Sequence, residues 1–125
     1  MIAGIGTDIV EVSRMDGALA RFGERFARRI LTPAEFERFR RSPNPSGYLA
    51  KRFAAKEAAL KALGTGLAAG LRWHDIETDN NQQGAPLLRF SGRAADLQQE
   101  RGIRKLHLSL SDERAHVVAF VILEH

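Results

Sequence analysis

Residues 53–66 read Phe-Ala-Ala-Lys-Glu-Ala-Ala-Leu-Lys-Ala-Leu-Gly-Thr-Gly. Alanine, leucine, lysine and glutamate are strong helix formers, and Gly64 is a natural C-terminal stop. Taken with Leu49 upstream, Leu49, Phe53, Leu60 and Leu63 step by four and three residues, the spacing of an amphipathic helix. The position that should complete this stripe is Lys56. Glu57 and Lys61 lie beside it, in the row Leu49, Phe53, Glu57, Lys61. Three charges therefore sit where apolar side chains are expected, and a local rule broken inside a consistent helix marks a candidate working site. The ordinary alternative is a Glu57–Lys61 helix salt bridge, which contributes about 0.3–0.5 kcal/mol.

Residues 2–12, Ile-Ala-Gly-Ile-Gly-Thr-Asp-Ile-Val-Glu-Val, read as a strand. Alternation puts Gly4, Gly6, Asp8, Val10 and Val12 on one face. Two glycines beside an aspartate predict an open patch for the approach of a ligand backbone or phosphate. The competing reading is a bulge glycine pair with Asp8 hydrogen-bonded at a strand end.

After this strand, Ser13 or Asp16 is expected to cap a helix bearing Leu19, Phe22, Phe26 and Ile30, with a break at Gly23. Thr32-Pro33-Ala34-Glu35 is a capping-box helix start, and Phe36 and Phe39 give that helix its buried side. Residues 42–47 are a loop. Trp73–Asp79 and Leu87–Phe90 read as strands, with a turn between them. Ser91 is expected to cap a short helix ending at Gly102. Leu106, Leu108 and Leu110 face opposite to His107, Ser109 and Ser111 on a further strand. The last strand is Ala115–Leu123, and within it Val117–Leu123 is apolar at odd and even positions alike. That pattern predicts cover on both faces, by helices or by another subunit. The fold class expected is α+β, a mainly antiparallel sheet packed on one long helix.

The chain has 125 residues, no cysteine and a net charge of +4. This length suits one domain, residues 1–125, and excludes disulfide or thiolate chemistry. No apolar run is long enough to span a membrane, and no signal segment precedes the first strand, so a cytoplasmic protein is expected. Residues 14–52 carry ten basic and four acidic side chains, so the positive charge is concentrated there. Such a region implies an acidic partner.

Two segments together carry a family resemblance. Gly-Ile-Gly-Thr-Asp-Ile-Val-Glu at residues 4–11 and Lys-Arg-Phe-Ala-Ala-Lys-Glu-Ala-Ala-Leu-Lys-Ala-Leu-Gly-Thr-Gly at residues 51–66 closely resemble the holo-[acyl-carrier-protein] synthases. These are the small single-domain members of the 4'-phosphopantetheinyl transferase family. The likeness extends to the ending His-Leu-Ser-Leu-Ser-Asp-Glu-Arg-Ala-His-Val-Val-Ala-Phe, residues 107–120. It implies an enzyme that transfers 4'-phosphopantetheine from coenzyme A to a serine of apo-acyl carrier protein. The other product is adenosine 3',5'-bisphosphate, and the reaction supports fatty acid biosynthesis.

The resemblance further implies Mg2+ held by Asp8 and Glu57, and a phosphate contact from Lys61. Arg52 and Lys56 are the next candidates for the coenzyme's phosphates. Gly64 is first a helix cap and only secondarily a ligand contact, since glycine loops that bind phosphate precede helices rather than follow them. His107 matches a histidine near the coenzyme; it is a candidate for phosphate binding or for deprotonating the serine. A metal-bound water and Glu57 are equally open as the base. Asp112 stands where the family often has a second histidine, which weakens any two-histidine mechanism.

Acyl carrier proteins are strongly acidic, and Arg14, Arg21, Arg25 and Arg28 step by seven, four and three, as on one helix face. They are the expected docking residues, with Met15 and Phe22 adding apolar contact. The resemblance also implies a homotrimer with coenzyme sites at chain junctions. A nucleic-acid-binding module is the alternative, but no recognition motif or aromatic sheet pair supports it. Neither nucleic acid nor membrane is therefore expected as a partner.

Overall fold

The computed structural model describes residues 1–125. Strand β1 (Ile2–Glu11) leads directly into helix α1 (Val12–Phe22), followed by α2 (Glu24–Ile30), α3 (Pro33–Arg41) and the 19-residue α4 (Pro45–Leu63). A 3-10 turn (Trp73–Asp75) then precedes β2 (Ile76–Asn80), β3 (Pro86–Phe90), α5 (Gly92–Glu100), β4 (Lys105–Asp112) and β5 (His116–Glu124). The class is α+β, as expected. The strands form two antiparallel sheets: a three-stranded one in the order β1-β5-β4, and the hairpin β2-β3.

Helix α4 lies across the inner face of the larger sheet. Val10, Val117, Ala119, Val121 and Leu123 meet Leu49, Ala54, Ala58, Leu60 and Leu63 in one buried core. The glycines of β1 explain how close the helix comes. A methyl group on Gly6 would overlap the backbone carbonyl of Ala58, and one on Gly4 would overlap that of Ala62. The patch read as open for a ligand is thus filled by α4. The glycines serve helix-to-strand contact, and only Asp8, at the end of this row, is left facing a site.

Several local expectations are corrected. Helix α1 starts at Val12 without a side-chain cap from Ser13 or Asp16, because the Val12 amide donates to Ala115 O at 2.9 Å. Val12 therefore belongs to the helix, not to the strand face. Strand β2 starts only at Ile76: Asp75 accepts from the Arg72 amide at 3.2 Å and folds residues 73–75 into a turn. Ser91 makes no side-chain cap. The break at Gly23 holds, with φ 67° and ψ −157°, as does the Thr32–Glu35 capping box.

All five helices leave the outer face of the larger sheet uncovered. Ile5 is 57%, Ile9 62%, Val118 37% and Phe120 39% exposed. The second face of β5 is therefore not closed within one chain.

Gly6→Val should lower stability by roughly 1–3 kcal/mol through overpacking against the Ala58 carbonyl. Gly17→Ala, in α1 with open space around the added methyl, should be neutral or stabilising by up to about 1 kcal/mol. Urea unfolding midpoints of the two variants should therefore move in opposite directions or differ clearly.

Candidate active site

Asp8 projects from the inner face of β1 towards α4. Glu57 and Lys61, one turn apart on α4, meet it there. Lys61 Nζ lies 3.0 Å from Asp8 Oδ1 and 3.0 Å from Thr7 O. Lys61 thus pairs across to the strand and not back along its helix to Glu57. The Asp8 side chain is 14% exposed and that of Lys61 53%, so the pair opens to solvent on the lysine side.

Burial, and secondly the negative charge of Asp8, push the Glu57 carboxyl above the ordinary carboxylate range. Lys61 and Arg14 act in the opposite sense. Asp8 and Glu57 thus share one opening with the cations Lys61 and Arg14, and two neighbouring carboxylates can serve a divalent ion. No third carboxylate or histidine joins them. A hard cation held by two carboxylates completes its shell with water and substrate phosphate oxygens, as magnesium does. Asp8 and Glu57 fit that donor set.

The other predicted site residues fall in different places. Lys56 is fully buried, and its Nζ donates to Ile30 O at 2.8 Å, Glu35 Oε1 at 2.7 Å and Trp73 O at 3.2 Å. All three ammonium protons are taken, so Lys56 has none for a phosphate, and that expectation is withdrawn. Gly64 adopts the left-handed conformation (φ 76°, ψ 15°) and its amide donates to Leu60 O and Lys61 O. It caps the helix and has no free donor for a ligand. Arg52 is buried; Nη1 donates to Thr78 Oγ1 at 2.7 Å, and its guanidinium lies 4.8 Å from the Tyr48 ring centroid. Its Nε has no partner, and Arg52 lines a cleft of about 480 Å³ with Asn44, Tyr48, Lys51 and Asp112. The Arg52 Nε is enclosed by protein and does not itself face the cleft, and Asp112 is paired with Lys51 at 3.4 Å.

His107 lies on the uncovered outer face of the larger sheet, opposite Ile122 in register. Its Nε2 is 2.9 Å from Glu124 Oε1. Asp8 is on the inner face, so one chain does not bring His107 to its own carboxylates.

The arginines do not share one helix face, because the Gly23 break separates α1 from α2. Arg14 lies 5.9 Å from the Phe53 ring centroid, one turn before Glu57. Arg21 lies over Phe22 at 5.2 Å and Arg28 over Phe36 at 4.1 Å. Arg21, Arg25 and Arg29 surround a cleft of about 690 Å³ with Phe22 and Phe26. Phe22 is exposed, whereas Met15 is buried and withdrawn from any docking role. Sequence reasoning missed Glu35, legible only as a capping residue, whose carboxylate takes donors from Thr32, Lys56 and Thr78.

The family profile described as "4'-phosphopantetheinyl transferase superfamily" matches residues 4–121. The chain belongs to the 4'-phosphopantetheinyl transferase superfamily. It is 56% identical over 124 residues to a Vibrio cholerae holo-[acyl-carrier-protein] synthase, covering 99% of this chain and 98% of that one. Among solved structures, the Neisseria meningitidis holo-[acyl-carrier-protein] synthase matches with TM-score 0.94 and 43% identity over 100% of both chains. The Helicobacter pylori synthase, solved in complex with coenzyme A, matches with TM-score 0.84 and 31% identity, covering 96% of this chain and 99% of that one.

A carboxyl whose pKa is higher folded than unfolded costs stability when ionised. For Glu57 that cost is present above its raised folded pKa and fades as pH falls towards the ordinary carboxylate value. Glu57→Gln should therefore raise Tm at neutral pH, with the gain shrinking as the medium is acidified. Added magnesium should raise the Tm of the native protein and leave that of the variant unmoved. Thermal melts across pH, with and without the metal, check both outcomes.

Proposed function

We propose that this chain is a holo-[acyl-carrier-protein] synthase. It transfers 4'-phosphopantetheine from coenzyme A to a serine of apo-acyl carrier protein and so supports fatty acid biosynthesis in the cytoplasm. The observation that carries this reading is the convergence of Asp8, Glu57 and Lys61 at one opening, in a chain of this superfamily. No helix is long and apolar enough to cross a membrane.

In the reaction the serine oxygen bonds to the pantetheine-bearing phosphorus. The bond from that phosphorus to the bridging oxygen breaks, and adenosine 3',5'-bisphosphate leaves with the electron pair. Asp8 and Glu57 would hold magnesium, which when bound would supply charge neutralisation at the pyrophosphate. Lys61, already at the rim, offers its ammonium to the negative charge that builds on the leaving phosphate. Glu57 and a water beside it are the two candidate acceptors for the serine's proton. Arg52, which contributes to the lining of its cleft, is the further candidate for the coenzyme. Mass spectrometry of apo carrier protein incubated with this chain, coenzyme A and magnesium should show the gain of one phosphopantetheine; an unchanged mass would overturn the assignment.

The arginines of α1 and α2 are the proposed docking side for the acidic carrier, arranged around exposed Phe22 and a cleft rather than along one helix. Arg14→Glu with Arg21→Glu should raise the KM for carrier protein far more than that for coenzyme A. It should also flatten the salt dependence of carrier association, because steering decays over a Debye length of about 8–10 Å. Stopped-flow association at several salt concentrations measures this.

The uncovered apolar face of the larger sheet supports the homotrimer as this chain's assembly. A shared site also gives His107 a role, since a neighbouring chain can present it to carboxylates its own chain keeps on the other face. Sedimentation equilibrium should report three chains at micromolar concentration. Mixing a Glu57→Gln chain with an Arg14→Glu, Arg21→Glu chain should restore part of the activity that each lacks alone.

A further inference from the structure

Lys56 occupies a position that an apolar side chain would fill at less cost. A buried charge is tolerated only when paired and fully hydrogen-bonded, and well-packed apolar replacements of buried ion pairs are often as stable. Stability alone therefore does not account for a lysine here.

Its three acceptors come from three separate elements: the C-terminal residue of α2, the first turn of α3, and the 3-10 turn before β2. Two of them, the carbonyls of Ile30 and Trp73, belong to residues that line a groove of about 700 Å³. Phe53 of α4 forms part of the same groove, with its ring 5.4 Å from that of Trp73. Arg29 of α2 stands in its lining, and Phe53, over which Arg14 lies, is one turn before Glu57 on α4. A second tie acts on the same wall: the His74 ring nitrogen lies 2.8 Å from Arg28 O.

We propose that Lys56 is a positioning residue for the carrier substrate: through the carbonyls of Ile30 and Trp73, it fixes the groove wall and the arginine-bearing α2 relative to Glu57, its neighbour on α4. The inference rests on the reading of the arginine side as the carrier's docking side. It deepens that reading by naming the buried residue that sets the distance between docking and chemistry. Lys56 touches neither substrate; it acts through the backbone of α2, which carries docking arginines.

The test compares Glu35→Gln with the double variant Lys56→Met, Glu35→Gln. The single variant keeps the lysine and both carbonyl bonds, whereas the double variant removes them without stranding a buried carboxylate. Relative to Glu35→Gln, the double variant should raise the KM for apo carrier protein at least tenfold and leave the KM for coenzyme A within twofold. Trp73 is the only tryptophan, so its emission reads the wall directly and should shift to the red in the double variant alone. Equal rises in both KM values, no rise in either, or a rise for coenzyme A only would overturn the proposal. An equal carrier effect in Glu35→Gln would overturn it too.

If the double variant does not fold, the native protein decides by nitrogen-15 NMR. Saturating apo carrier should move both the Lys56 ammonium and the Trp73 indole signals, and coenzyme A with magnesium should move neither; any other pattern overturns the inference. Absence of all transfer by the native protein would overturn the functional reading itself, and is thereby distinguishable from an active enzyme whose two KM values respond together.

Discussion

The contact between β1 and α4 is the constraint on which the site depends. A helix and a sheet ordinarily keep a layer of side chains between them. Here Gly4 and Gly6 have none, and the carbonyls of Ala58 and Ala62 occupy that space. Backbone meets backbone, and the short side chain of Asp8 consequently reaches the Lys61 ammonium. Any added atom in the interface would separate the strand aspartate from the helix charges. Chemistry and packing are thus set by the same four small residues.

The charged residues that face solvent were legible in the sequence, and the buried ones were not. Asp8, Glu57 and Lys61 break apolar patterns at positions that strand and helix periodicity bring to one face. The same reasoning placed Lys56 with them, because spacing cannot tell a charge at an opening from one in the core. What decides the matter is Glu35, 21 residues away, and its position opposite Lys56 is tertiary information. Glycines were misread for a related reason: a missing side chain makes room, but the sequence does not say for what. The four arginines step as on one helix face, but Gly23 ends α1 before α2 begins, so Arg14 and Arg21 lie on one helix and Arg25 and Arg28 on another. The fold class and most elements were readable because capping, turns and alternation are local. The start of β2 was not, since the Asp75 side chain competes for the backbone there.

Charge is divided into two regimes. Around Glu35 and Lys56 the three ammonium protons and both carboxylate oxygens have buried partners, and the network ties α2, α3, α4 and β2 together. Around Glu57 two carboxylates face two cations at an opening, and burial together with the Asp8 charge raises the Glu57 proton affinity against those cations. The first arrangement fixes geometry. The second leaves a group able to respond to a ligand. Their adjacency on α4 puts a rigid residue directly beside a reactive one.

The uncovered sheet face and the arginine side give the chain two surfaces with opposite responses to salt. Dissolved ions screen the arginines within a Debye length of about 8 Å at physiological ionic strength. Kosmotropic salts such as sulfate strengthen apolar association instead. A dilute, low-salt solution therefore favours adsorption of the protein to anionic matrices, whereas high sulfate favours contact through Ile5, Ile9, Val118 and Phe120. Rising sulfate should therefore tighten chain-to-chain contact while it loosens binding to anionic matrices, and choosing a buffer for this protein amounts to choosing which of its two surfaces is engaged.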